Sequence, residues 1–313
     1  MWMQSAMVII THILLSLLFI GGIAAGRLNS AFDLLASVVL ATTFLTLIHH
    51  IGGWFLIGTF WPKLFWLLLI VAVVMALRQR LPSLPRWPPR RRQWLQPGIT
   101  LLVSAFLASA LPSILTARSV PAGAIELQFP LADGKYHVGQ GGSSDLLNHH
   151  YPVQAQRYAL DIVKTAGPGW RAEGLSPGPL EAYYIWGQPL LAPCTGEIVA
   201  VESGLPDMPI GQTDSENLAG NHVSVACQGV TVVMAHMQAG SVTVAVGEPV
   251  TAGAPLGRVG NSGNTSEPHL HIHAVRGRAD TYEQAMFEGE GVPMIFAERF
   301  LIRNDGVISP PDP

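Results

Sequence analysis

Near the C-terminal end of the sequence, His269, His271 and His273 recur at every second position. On a β-strand the side chains alternate between faces, so this spacing puts three imidazoles on one side at intervals of roughly 7 Å. Leu270 and Ile272, between them, then turn toward a core. Imidazole suits Zn²⁺ and metals of similar hardness, and a hydrolytic zinc needs about three protein ligands with its fourth position left for water. The competing reading is a strand with a solvated polar face.

Chemistry of that kind needs a folded domain to hold the imidazoles, and the composition says where it lies. The chain has 313 residues, 49% of them apolar, yet the first 117 carry a single acidic side chain, Asp33. Four apolar runs, about 6–25, 32–48, 58–77 and 99–117, are each long enough to cross a bilayer or nearly so as a helix. The first lacks a basic segment before it and is followed by further spans, which favours a membrane helix over a cleaved signal peptide. Lys63 stands where it can snorkel, and Pro112 is tolerable as a kink in a membrane helix.

Between the third and fourth runs stand Arg78, Arg80, Arg86, Arg90, Arg91 and Arg92. Such an arginine-rich loop is expected on the cytoplasmic side. With four spans, Arg27 falls in a cytoplasmic turn and everything after Arg118 is extracytoplasmic. If the third span were re-entrant, the amino terminus would change sides while the fourth span kept its orientation. Tethering needs only one helix, so a sensing or signalling role for the others stays open.

From Val120 onward the chain holds 9 Lys and Arg against 20 Asp and Glu, a balance of −11. That excludes nucleic acid as a partner and disfavours tight non-specific binding to an anionic cell wall. The remaining residues, about 195, suffice for one domain with a real core. Short β-type runs broken by glycine and proline predict antiparallel sheets, with strands at 196–201, 221–227 and 230–236. Gln228-Gly229 marks a hairpin between the last two. Tyr183 to Gln188 and Gly204 to Leu218 read as insertions or surface loops, and Thr281 to Glu288 as a short helical turn. Cys194 and Cys227 are either a disulfide, given an oxidising compartment, or two small buried hydrophobes.

Several motifs then recur in order: Gly139-Gln140-Gly141-Gly142, Asn148-His149-His150, Gln156 to Asp161, Ala192 to Gly196, Gly220 to Val223, Met234-Ala235-His236-Met237, Gly257 to Asn264 and Pro268-His269-Leu270-His271. Over about Val138 to Phe300 this set resembles the lysostaphin-type zinc metallopeptidases, many of which cleave peptide bonds in peptidoglycan. The resemblance implies that Asp161 and His271 bind Zn²⁺ and that His236 and His269 are unliganded catalytic histidines. The commoner pattern has a histidine where this chain has Arg157. A variant with an asparagine-x-histidine stretch upstream is closer, which makes His150 the expected third ligand and His149 its alternative. Arg157 is then free to neutralise a carboxylate, contact substrate or face solvent. His273 stands where the family often has an acid, and either orients His236 or His269 or simply finishes the strand. Gly260 to Gly263 is expected as a tight loop beside that strand, for close substrate approach or plain turn geometry. His137 and His222 have no place in the implied site.

Two imidazoles and one carboxylate leave zinc with net positive charge and an open position, so that a water becomes acidic enough to act as nucleophile near neutral pH. One of His236 and His269 would serve as general base. The other would steady the oxyanion or protonate the leaving amine. The expectation is therefore a membrane region of about four helices over 1–118 and a mainly antiparallel β domain of the lysostaphin-type fold over 119–313. The chain is expected in the cytoplasmic membrane, with the bilayer and a peptide or peptidoglycan substrate as partners. The rival is a catalytically silent member of the same family that binds wall or regulates a partner enzyme.

Overall fold

The computed structural model describes residues 6–310, so residues 1–5 and 311–313 of the two expected domains lie outside it. The chain forms two compact units, one ending at Ile114 and the other beginning at Leu115.

Among the described residues, four helical stretches are long and apolar enough to cross a membrane: Ala6–Ala25 (α1), Ala31–Ile51 (α2), Trp61–Ser83 and Arg91–Thr116. The third of these contains the α-helix Trp61–Gln79 (α3), whose 19 residues reach about 28 Å at 1.5 Å per residue. The fourth is broken into Leu95–Ala108 (α4) and Leu111–Thr116 (α5). Pro112 explains the break, since it has no N–H to give to the Ala108 carbonyl. Ser30 caps α2 by accepting from the Asp33 amide at 3.1 Å, and Asp33 in turn accepts from the Asn29 amide at 2.8 Å. Arg80 donates to the carbonyls of Ile23, at 3.0 Å, and Gly26, satisfying acceptors that the end of α1 leaves open.

Among the described residues, the second unit has fourteen strands. In chain order they are Ile125–Leu127 (β1), Gly134–Gln140 (β2), Leu160–Thr165 (β3), Pro189–Leu191 (β4), Gly196–Glu202 (β5), Asn221–Cys227 (β6) and Val230–Met237 (β7). Pro249–Val250 (β8), Pro255–Arg258 (β9), Leu270–Arg276 (β10), Gly291–Val292 (β11), Met294–Phe296 (β12), Arg299–Phe300 (β13) and Gly306–Ser309 (β14) complete them. Nine belong to one antiparallel sheet, ordered β14-β2-β3-β10-β7-β6-β5-β8 with β11 beside β10. The β6–β7 hairpin turns at Gln228-Gly229, where Gly229 takes φ +76°. The unit is thus mainly antiparallel β, as the alternation and turn residues imply.

Alternation along the strands divides the sheet into two faces. Leu160 and Ile162 on β3, Val232 and Met234 on β7, and Leu270, Ile272 and Ala274 on β10 bury into the main core. Val233, Ala235 and Val275 face the other way, into a smaller cluster with Ala155, Ala219 and Met286. One loop expectation is corrected: Tyr183 to Gln188 is a turn, but Tyr183 and Ile185 are buried and Ile185 joins the main core. Their large apolar bodies outweigh the polar residues around them. By contrast, much of Gly204 to Leu218 is exposed loop. Gln284–Glu288 makes the expected short helical turn.

Cys194 and Cys227 are joined in a disulfide with Cα atoms 6.1 Å apart, linking the entry of β5 to the end of β6. The bridge closes a sequence separation of 33, for which loss of the cross-link costs about 2–4 kcal/mol. Cys194→Ser/Cys227→Ser should lower unfolding stability by that amount, and dithiothreitol should then have no further effect on the variant's denaturant midpoint.

His137 on β2 is buried, its Nε2 3.1 Å from Asn304 Oδ1. Burial, opposed by that hydrogen bond and aided by Arg303, lowers its pKa to about 4. An unfolded histidine takes up its proton near pH 6.5, so between there and about pH 4 the unfolded state binds more protons and stability is lost as the pH is lowered. Equilibrium unfolding across that window should show a shallower loss for His137→Gln than for the parent.

Candidate metal centre

Asp161 and His271 are direct register partners across β3 and β10, and Ala235 of β7 stands opposite His271 on its other side. Three adjacent strands thus form the floor of the site. Because Leu270 and Ile272 bury into the core, His271 and His273 must emerge on the opposite face. His269 lies just before β10 and turns to the same side, with Nε2 3.6 Å from Asp161 Oδ1.

His150 comes from the loop between β2 and β3, and Asn148 shapes that loop. The buried Asn148 amide donates to the carbonyls of Gly142, Arg157 and Ala159 at 3.1–3.3 Å, while its Oδ1 accepts from the His150 amide at 3.1 Å. His150 Nε2 ends 3.1 Å from both carboxylate oxygens of Asp161, and His271 Nδ1 lies 3.1 Å from Oδ1. His149, His150 and Asp161 also offer atoms all within 4.8 Å of one another. The His149 ring sits against that of His150, with centroids 3.9 Å apart.

His236 reaches the site through an irregularity. In a regular strand it would follow Met234 into the core, since Ala235 points away from it. Instead His236 has φ +62°, and the pairing of β6 with β7 slips between Asn221 and Val223. Met234 and Met237 both bury in the core, and the His236 ring swings to the other face, 4.8 Å from His269 and 5.8 Å from His271. Re-aiming a side chain is what such a bulge does.

Proton positions follow from the partners. His236 Nδ1 donates to the Ser262 carbonyl and His269 Nδ1 to the Glu267 carbonyl, each at 2.9 Å. Both rings are thereby held as the tautomer whose Nε2 keeps its lone pair. The Ser262 carbonyl belongs to the 260–263 loop, which packs closely at both ends, Gly260 against the backbone of Gln238 and Gly263, at φ +86°, against that of Gly220. That loop serves chain packing and the orientation of His236. His273 Nε2 donates to the Ala285 carbonyl at 2.9 Å, which leaves its Nδ1 to accept from His271 Nε2 at 3.0 Å. His273 therefore bonds to His271, where the sequence suggested His236 or His269.

This relay leaves the His271 Nδ1 lone pair facing a carboxylate oxygen. Burial, opposed by the nearby Asp161 carboxylate, lowers the His271 pKa to about 3, so the ring does not supply a second proton. Burial pushes the Asp161 carboxyl up, but the adjacent His150, His269 and His271 rings outweigh it and hold it well below the ordinary range. Two acceptors 3.1 Å apart call for a cation between them. Tetrahedral zinc with bonds near 2.1 Å would set its ligand atoms about 3.4 Å apart, close to this spacing. The donor set fits the metal.

Arg157 takes no part in the cluster. Its guanidinium carbon lies 5.0 Å from the centroid of the Tyr151 ring, which is neither a carboxylate contact nor free solvation. His222 donates to the Gly220 carbonyl and stays outside. Asn148 entered the sequence reading only as part of a motif, and one support escaped it: a buried pair in which Arg171 donates to both Glu267 oxygens at 2.7 Å. That pair fixes the segment whose carbonyl holds His269. A buried arginine and a buried glutamate in one chain were the available signal, but 96 residues separate them.

Residues 183–282 match the family model of Peptidase family M23. Over those residues the second unit is similar to an M23 peptidase domain. No curated protein matches the chain. Among solved structures, a zinc-containing peptidase from Vibrio cholerae is similar at 21% identity and a TM-score of 0.23, covering 30% of this chain and 24% of its own. A putative peptidase M23 from Pseudomonas aeruginosa has 17% identity and a TM-score of 0.29, covering 61% and 59%. The antimicrobial peptidase lysostaphin from Staphylococcus simulans has 24% identity and a TM-score of 0.22, covering 34% and 42%. This chain thus spans less than two thirds of each. Likeness at this level leaves activity and substrate to be read from the site.

The strained backbone at His236 is directly testable. A non-glycine residue held at φ +62° costs about 1 kcal/mol relative to glycine. Since both replacements remove the imidazole, His236→Gly should be more stable than His236→Ala by that amount in denaturant unfolding.

Proposed function

We propose that the protein is a membrane-anchored zinc endopeptidase, with residues 1–118 as the membrane region and 119–313 as an extracytoplasmic domain that cuts peptide bonds, those of peptidoglycan among them. In this reading His150, Asp161 and His271 hold the metal, and His236 and His269 handle protons. The observation that carries it is the convergence of His150 Nε2, the Asp161 carboxylate and His271 Nδ1 within about 3 Å contacts, beside two imidazoles whose Nδ1 atoms donate to backbone carbonyls. When bound, zinc supplies Lewis-acid chemistry, lowering the pKa of a water toward about 7 and polarising the carbonyl under attack.

The chain's own groups do the rest. The carbonyls of Ser262 and Glu267 keep both imidazoles in the tautomer that can accept a proton at Nε2. One imidazole takes a proton from the attacking water. The other, once protonated, steadies the developing oxyanion or passes its proton to the leaving amine. His273 and the Ala285 carbonyl hold the His271 ring with Nδ1 forward. Arg157, stacked on Tyr151, does not block the position that His150 fills. The disulfide supports an oxidising location for the domain, and the arginine-rich loop before the fourth span supports the topology that places it there.

Metal analysis of the purified full-length protein should find one zinc per chain. Asp161→Ala and His271→Ala should lose both the zinc and peptide hydrolysis, and His150→Ala should do so while His149→Ala keeps most of both. Retained turnover in Asp161→Ala or His271→Ala would sink the assignment, and loss of zinc with His149 alone would move the third ligand there.

A further inference from the structure

Arg303 is a cation beside the site that neither the fold nor the proposed chemistry uses. It lies in the turn between β13 and β14, and that turn is pinned to β2. The Arg303 amide donates to the Gly141 carbonyl at 3.1 Å, the Asn304 amide to Val138 at 2.9 Å, and the Val138 amide to Asp305 at 2.9 Å. Its guanidinium meets Gln140, with Nη1 3.5 Å from Oε1.

Gln140 shows which way the guanidinium faces. It is the register partner of Asp161, so the two side chains leave the sheet on the same face, and its Oε1 also accepts from the His149 amide at 3.2 Å. The charge of Arg303 therefore borders the His149–His150–Asp161 group.

Its donors are largely unspent. Nε is buried without a hydrogen-bond partner, and the single side-chain bond, to Gln140, is at the long limit. Arg171, Arg276, Arg278 and Arg299 each have a carboxylate within ion-pair reach, whereas among the described residues Arg303 has none. Burial disfavours its charge, with only the field of Asp161 opposing. A half-buried guanidinium left without a carboxylate, in a domain with 20 acids to 9 bases, is poised for an anion from outside. Guanidinium presents a planar fork that matches a carboxylate.

We propose that Arg303 is an anion-recognition residue of this site, receiving a carboxylate that the substrate carries close to the bond to be cut. The substrate class is then peptides with a free α-carboxylate or an acidic side chain near the scissile bond. The proposal rests on the peptidase reading for its place in catalysis, while recognition itself depends on Arg303 and is measured as binding.

The test compares three small probes on the zinc-supplemented full-length protein by calorimetry or ligand-observed NMR: N-acetyl-alanyl-alanine, its C-terminal amide, and N-acetyl-alanyl-glutamate α-amide, whose side-chain carboxylate is free. At least one acidic probe should bind about tenfold more tightly than the neutral amide, and which one does so identifies the source of the carboxylate. Arg303→Gln should abolish the preference without changing the affinity of the neutral probe, and Arg303→Lys should keep part of it. Equal or undetectable binding of acidic and neutral probes to the parent overturns the proposal, even if Arg303→Gln fails to fold. So does a preference that survives Arg303→Gln. A protein that shows the preference but holds no zinc would sink the peptidase reading and leave carboxylate recognition standing, so the two failures are distinguishable.

Discussion

Everything in the candidate centre depends on one pairing, that of Asp161 with His271 across the central strands β3 and β10. A strand cannot slip by one residue without exchanging its two faces. Burial of Leu160, Ile162, Leu270 and Ile272 in the main core therefore fixes the pairing and forces the carboxylate and the imidazole out together on the other side. The packing that stabilises the domain and the geometry that brings a carboxylate and a neutral imidazole within 3.1 Å are one constraint. The expense of gathering polar groups under partial burial falls on the loops, which supply Asn148 beneath His150 and the carbonyls of Ser262 and Glu267 behind the two remaining imidazoles.

Much of this was legible in the residues. Period-two alternation marked β10, and the hairpin of β6 and β7 showed in its apolar runs and in Gln228-Gly229, because these signals are local. The four helical stretches were equally plain, since twenty or so apolar residues in a row have few other homes. His236 was recognisable by motif but not by periodicity. Its turn to the outer face depends on a bulge, written in the sequence only as two core methionines three residues apart. Other features were illegible for a different reason. Tyr183 and Ile185 sit among turn residues yet complete the core, and the Arg171–Glu267 pair joins segments far apart in the chain. His273 drew attention for the right kind of role on the wrong ring, since alternation gives the face of a side chain but not which neighbour its nitrogens meet.

The electrostatics of the second unit are uneven in a way that bulk charge conceals. Its surface acids outnumber its bases, yet the cluster is rich in imidazoles that burial keeps neutral: the His271 pKa is lowered to about 3 and that of His273 to about 4. A neutral imidazole offers a lone pair, whereas an imidazolium offers none. Burial and the hydrogen bonds to backbone carbonyls thus act together, the first removing the extra proton and the second choosing which nitrogen keeps the remaining one.

The buried pair of Arg171 and Glu267 has a consequence for how this domain can diversify. Arg171 belongs to the loop after β3, the sort of segment that insertions readily reshape. Glu267 belongs to the lead-in of β10, whose backbone steadies His269. A graft that replaced the loop alone would strand a buried carboxylate without its counter-ion, which costs several kcal/mol. Loop and lead-in are therefore a single transferable module, and chimaeras between domains of this kind should be cut so that both travel together.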